Sequence, residues 1–290
     1  MKCLELMKRD VVYVLDSSLV TEAAIAMRDR GVGFLPVCDE LGRAVGTLTD
    51  RDIVVRVLGT GKDPAAAPVG EAMTAELVAC SPEDELWVAE DLMRRFQRSR
   101  IVCIDAQRHA RGVISLSDVA AVGSQGHAGL VLTAVAERES APRRTDQPRT
   151  CADVMSDDVV RVDQRDHAAG VAEQMRERRV GLVAVCDDRG ALVGVVTDRD
   201  LVLRVVAPGL GDDARVADFM TRGVVTCAGD EPLRVLAERM RSRRVSRVVC
   251  VDGRQAVGVV SLADLARVEP IEHTAQLLRD VSARSEQIHL

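Results

Sequence analysis

The chain has 290 residues, 47% of them hydrophobic and 29% charged, more than one ordinary core needs and suited to two soluble globular domains. A net charge of −6 gives no attraction to a phosphate backbone, and aromatics at 2% leave no stacking platform for single strands, so nucleic acid is not an expected partner. No apolar run approaches the ~20 residues that span a bilayer, and the start "MKCLELMKRD" lacks an apolar signal segment, so a cytoplasmic protein without a membrane partner is expected.

In chain order, a lead "CLELM" (3–7) ends in Met7 and is followed by "VVYV" (11–14), a β-branched run that reads as a strand. "LVTEAAIAMRDR" (19–30) reads as a helix with Leu19, Ala23 and Met27 on one face. "GFLPVCD" (33–39) and "RAVGTLT" (43–49) read as two strands around "ELG", an antiparallel hairpin by loop length. "DRDIVVRVL" (50–58) closes the unit as a helix. The unit is β-α-β-β-α and about 55 to 60 residues long, small for a core of its own, so units should pair over a shared apolar face.

The unit recurs. "GTLTDRD" (46–52), "GVISLSD" (112–118), "GVVTDRD" (194–200) and "GVVSLAD" (258–264) line up. Upstream of each lie a leader methionine (Met7, Met73, Met155, Met220) and a strand run ("VVYV", "LVAC", "VVRV", "VVTC"). A helical methionine (Met27, Met93, Met175, Met240) and an apolar run ending in an acid follow. Repeats one and three share "TDRD"; repeats two and four carry "SLSD" and "SLAD". The cysteines echo the duplication: Cys3 and Cys151, like Cys38 and Cys186, stand 148 apart, and Cys80/Cys227 and Cys103/Cys250 stand 147 apart. With no CxxC spacing they read as packing residues rather than a zinc site or disulfide framework.

The duplicated block is a repeat pair plus a trailing helix, "HAGLVLTAVAERE" (127–139) in the first copy and "HTAQLLRDVSARS" (273–285) in the second. The domains are therefore 1–140, with repeats at about 3–60 and 68–124, and 150–290, with repeats at about 151–208 and 215–268. The Pro- and Arg-rich stretch 141–149 between them is a linker.

The motif's chemistry admits two readings. Thr49 and Asp52 have the spacing of a capping box, and acids suit the positive end of a helix. The same end offers free N–H groups to a phosphate, and a carboxylate there can accept from a ribose diol. Other chemistry is thin. His109, His127, His167, His273 and His289 show no HxxxH spacing, and no P-loop or nucleophile elbow appears. The two "DRD" strings suit Mg²⁺ only as a companion of bound phosphates.

A paired β-α-β-β-α repeat ending in Gly-h-h-Thr/Ser-x-x-Asp, four times over nearly the whole chain, resembles the CBS domain. The resemblance implies an α/β (α+β) fold of two Bateman modules, non-catalytic and regulatory, with clefts for AMP, ADP or ATP, or for S-adenosylmethionine or NAD. It implies that Asp52, Asp118, Asp200 and Asp264 hold ribose hydroxyls and that Thr49, Ser115, Thr197 and Ser261 contact ribose or α-phosphate. Val12, Val78, Val160 and Val225 would lie along the adenine. Arg100 and Arg247, which replace Phe34 and Leu182 of the other repeats, would face phosphates, as would Arg51 and Arg199 within "TDRD"; the bland reading of all four is a solvated helix face. Only repeat one keeps the family's Pro-Val, as Pro36-Val37, so not every cleft need be filled. The modules would pack as a disc-like pseudo-tetramer or pair across a homodimer, and a separate effector protein would read the ligand. The alternative is a scaffold with empty clefts.

Overall fold

The structure, a computed structural model, describes residues 1–122, 131, 134 and 149–282. Most of the expected helix at 127–139, with His127, the linker body 141–148 and His289 lie outside the described residues.

Four units follow one another. The first is α1 (Cys3–Leu6), β1 (Val14–Leu15), α2 (Val20–Asp29), β2 (Phe34–Cys38), β3 (Ala44–Thr49) and α3 (Asp50–Arg56). The second is α4 (Val69–Ala72), β4 (Ala79–Cys80), α5 (Leu86–Phe96), β5 (Arg100–Ile104), β6 (Ala110–Ser115) and α6 (Leu116–Val122). The third is α7 (Cys151–Val154), β7 (Arg161–Asp163), α8 (Ala168–Glu177), β8 (Leu182–Cys186), β9 (Leu192–Thr197) and α9 (Asp198–Leu201), which runs on into a π turn at Val202–Val206. The fourth is α10 (Val216–Phe219), β10 (Thr226–Ala228), α11 (Leu233–Arg243), β11 (Arg247–Asp252), β12 (Gln255–Ser261) and α12 (Leu262–Ala266), with the trailing helix α13 (Ile271–Ser282) after it. Each unit makes one three-stranded sheet, its first strand parallel to the second and the second antiparallel to the third.

The first strands begin later than the runs "VVYV", "LVAC", "VVRV" and "VVTC" suggest. Repeat one starts latest. Its ladder opens at Val14↔Val37, whereas the others open one step earlier, at Ala79↔Val102, Arg161↔Ala184 and Thr226↔Val249. The earlier position in repeat one is Pro36, which has no N–H to donate. The acid that ends the second-strand run of repeats one to three also has a local cause. Asp39 Oδ1 accepts from the amides of Leu41 and Arg43, Asp105 from those of Gln107 and His109, and Asp187 from those of Arg189 and Ala191. These are Asx turns that shape the hairpin.

The leaders are four-residue helices that cross to the neighbouring repeat. Lys8 bridges to Val113 of repeat two, and Thr74 of the second leader bridges to Thr47 of repeat one; Ser156↔Val259 and Val195↔Thr221 repeat the exchange in the second pair. The exchange joins two marks of the sequence, because each leader methionine lies over the motif glycine of its partner repeat. A Cβ on Gly46 would stand 2.9 Å from Met73 Sδ, on Gly112 2.5 Å from Met7 Sδ, on Gly194 2.6 Å from Met220 Sδ, and on Gly258 against Met155 Sδ.

Among the described residues, two of three apolar cores cross between the modules. One joins repeats one and three with the leaders of two and four, from Val20, Met27 and Ile53 to Val171, Met175 and Phe219. The second joins repeats two and four with the other leaders and α13, and contains Cys3, Cys80, Cys103, Cys151, Cys227 and Cys250. All eight cysteines are buried and unbridged; burial pushes the Cys38 thiol up to about 11. The third core, smaller, lies between the sheets of repeats three and four. The expected pairing over a shared apolar face therefore accounts for part of the burial, and packing of one module on the other for another part. The seam is nearly symmetric: Arg176 Nε donates to Gly59 O at 2.6 Å, and Arg28, at the equivalent position 148 residues earlier, donates to Ala207 O at 3.4 Å.

Candidate functional site

Each motif forms a complete capping box. Asp52 Oδ2 accepts from the Thr49 amide at 2.9 Å and hydroxyl at 2.6 Å, while Thr49 Oγ1 accepts from the Asp52 amide at 3.1 Å. Asp200 with Thr197 and Asp264 with Ser261 repeat this geometry. So does Asp118 with Ser115, whose hydroxyl also meets Ser117 Oγ at 2.7 Å. A cap uses one carboxylate oxygen.

The second oxygen meets further polar groups, half of them from the crossing leaders and half from the acid's own helical segment. Asp52 Oδ1 meets Thr74 Oγ1 at 3.4 Å and Arg56 at 3.5 Å; Asp200 Oδ1 meets Thr221 Oγ1 at 3.0 Å and Arg204 at 3.1 Å. Arg56 in turn donates to the carbonyls of Ala72 and Met73, and Arg204 to that of Phe219. Asp118 Oδ1 pairs with Lys8 of the first leader at 3.3 Å, and Asp264 Oδ1 with Arg267 at 3.1 Å. Sequence reasoning missed these partners. The signals were present: an arginine four residues after the acid in "DRDIVVR" and "DRDLVLR", and a threonine directly after the leader methionine in repeats two and four.

The other candidate residues divide into two groups. Val78 and Val160 are buried, and Val12 and Val225 pack against the two larger cores. The arginines gather where the modules meet. Arg100 and Arg247 open their strands directly opposite Ser115 and Ser261, where repeats one and three place Phe34 and Leu182 opposite Thr49 and Thr197. The Arg100 guanidinium lies over the Phe34 ring, 5.8 Å from its centroid. Arg51 and Arg199 reach across the seam in near-symmetric pairs, Arg51 to Asp198 at 3.1 Å and Arg199 to Asp50 at 3.9 Å. Gly33 and Gly181 floor these pairs. A Cβ on Gly33 would lie 2.5 Å from Asp50 Oδ2, and one on Gly181 would lie 2.6 Å from Asp198 Oδ2. Repeats two and four have Ser99 and Ser246 there, a contrast legible in the sequence and overlooked. Burial pushes the Asp198 carboxyl up to about 6 against the opposing pull of Arg51, and raises Asp50 against Arg100 and Arg199.

Among the described residues no group of three or more His, Cys, Asp or Glu side chains could hold a metal ion, and no helix is long and apolar enough to cross a membrane.

The family model described as CBS domain matches residues 3–59, 69–124, 151–207 and 216–271. The chain is 37% identical over 114 residues to the CBS domain-containing protein YhcV of Bacillus subtilis, a match covering 39% of this chain and 79% of that one. It is 31% identical over 117 residues to the human 5'-AMP-activated protein kinase subunit gamma-3, covering 38% of this chain and 24% of that subunit. Among solved structures, protein MJ1225 of Methanocaldococcus jannaschii shares the fold with a TM-score of 0.63 at 17% identity, over 92% of this chain and 99% of that one.

Proposed function

We propose that this chain, which belongs to the CBS-domain family, is a regulatory sensor. Its clefts bind an adenosine nucleotide, AMP, ADP or ATP, and a separate effector protein reads their occupancy. The chain itself catalyses nothing in this reading, and Mg²⁺ enters only with the phosphates of ATP. The observation that carries the reading is the divided use of the motif carboxylate. In all four repeats one oxygen completes the helix cap and the other meets a cation, joined in repeats one and three by a threonine hydroxyl. A cap alone needs no second contact, whereas a ribose diol needs that oxygen. The name of the kinase-subunit relative, which specifies activation by AMP, supports the same ligand class.

The hydroxyls Thr49, Ser115, Thr197 and Ser261 would serve ribose or α-phosphate, the four valines would flank adenine, and Arg100 and Arg247 would face the phosphates. A mononucleotide held this way has an affinity of the order of micromolar, suited to sensing an abundant metabolite. The test is a melting-temperature titration with AMP, ATP, S-adenosylmethionine and NAD. An adenine nucleotide should raise the melting temperature as mass action requires. Asp52→Ala, Asp118→Ala, Asp200→Ala and Asp264→Ala, made singly, should each weaken binding at an occupied cleft. A response to S-adenosylmethionine or NAD alone would reassign the ligand. No response to any of them at millimolar concentration would leave a scaffold with empty clefts.

A further inference from the structure

The four arginines at the seam come one from each repeat, and the carboxylates of Asp50 and Asp198 lie among them. Asp50 lies within the field of Arg100, Arg199 and Arg247, and Asp198 within that of Arg51 and Arg247. Arg100 is exposed and 26% of the Asp50 side chain meets water, so solvent reaches the cluster. Asp198 Oδ1 is buried there without a hydrogen-bond donor among the described residues. The two carboxylates are held, but poorly: one cross-seam contact is 3.9 Å long, and burial works against the charge of both.

The cluster adjoins the motif caps. Asp50 and Asp198 directly follow the cap residues Thr49 and Thr197, and Arg100 feels both Asp50 and the cleft acid Asp118. The same arginines that would meet a ligand's phosphate therefore already hold an internal anion. We propose that Asp50 and Asp198 form an anion latch: they occupy the seam arginines until the phosphate of a cleft-bound nucleotide displaces them, which opens the Arg51–Asp198 and Arg199–Asp50 contacts between the modules. Ligand charge is thereby converted into a change at the seam, where Arg199 also holds the turn at Gly31 through its carbonyl at 2.6 Å. Adenosine, lacking phosphate, fills a cleft without opening the latch. This rests on the adenosine-nucleotide reading of the clefts.

The test compares AMP with adenosine by calorimetry on the full chain and on the Asp50→Asn/Asp198→Asn double variant. Removing the competing anions should tighten AMP about tenfold, a coupling of ordinary size, and leave adenosine unchanged. Asp50→Glu/Asp198→Glu keeps the charge and should keep AMP weak. Hydrogen exchange of wild type should quicken at residues 31–33 and 179–181 with AMP and not with adenosine. If AMP and adenosine change together in the Asn variant, or neither changes, the latch is overturned while the ligand reading stands. Exchange that is indifferent to AMP overturns it as well. If neither compound binds any of the chains, both readings fall.

Discussion

Asp198 shows how a single residue reports its surroundings. Its carboxyl is buried to 14% side-chain exposure, and burial, only partly offset by Arg51, lifts it from the ordinary 3.8 to about 6. Between those values the folded chain binds a proton that the unfolded chain releases. Stability from this group is therefore full below about pH 4 and falls as pH rises through about 6, by at most about 3 kcal/mol. Asp50, raised by the same cause, adds in the same direction. Asp163 runs the other way: the side-chain bond from Arg165 pulls it down to about 2, so its contribution is lost only as pH falls below about 4, outside the window of Asp198. Melting temperature should accordingly rise as pH is lowered from 7 to 5, and Asp198→Asn should flatten that slope. An unchanged slope in the variant would show that the seam carboxylate keeps an ordinary pKa.

At the level of elements, the sequence reading found the repeating order of strand and helix because that order is written locally. Alternating and 3.6-residue periodicity, the hydroxyl-to-acid spacing of the caps and the turn residues each act within a few positions. The leader exchange is not local. Met73 and Gly46 were both visible as marks, but their relation is one of size across two repeats: a bare glycine accepts the thioether that a side chain would exclude. Gly46 is also where backbone meets backbone, since a Cβ there would lie 2.7 Å from the Thr74 carbonyl oxygen. That oxygen belongs to a bridge and cannot swing away as a side chain can, for Thr47 and Thr74 exchange amide bonds of 3.0 and 2.8 Å. Gly46→Ala should therefore destabilise the chain by about 1–3 kcal/mol, the usual cost of overpacking. It should also loosen Thr74 from Asp52. Equilibrium denaturation measures the first effect, and a stability equal to wild type would mean that the second leader does not lie where the bridge puts it.

Across the whole molecule, the distinction between "TDRD" and "SLSD" or "SLAD" was legible, but its use was not, because it depends on what stands opposite in another module. Asp50, Arg51, Gly33 and Arg28 recur 148 residues later as Asp198, Arg199, Gly181 and Arg176, and each residue of the first set faces the seam against the second. The seam thus joins two nearly identical faces about a pseudo-twofold axis. A face of this kind is self-complementary, since the groups it offers are the groups it accepts. The second pair alone, residues 149–290, would bare the apolar surface of Val171, Met175, Leu201 and Val205 that repeat one covers in the full chain. It should recover that burial by pairing with its own copy, Asp198 of each facing Arg199 of the other. Sedimentation should give twice the mass of the fragment. Asp198→Arg would place like charges across the twofold and should return it to monomer or drive it out of solution. A fragment that stays soluble and monomeric without the substitution would show that the cross-module core adds too little to hold the two faces together, and would move the weight of the fold back onto the pairing within each module.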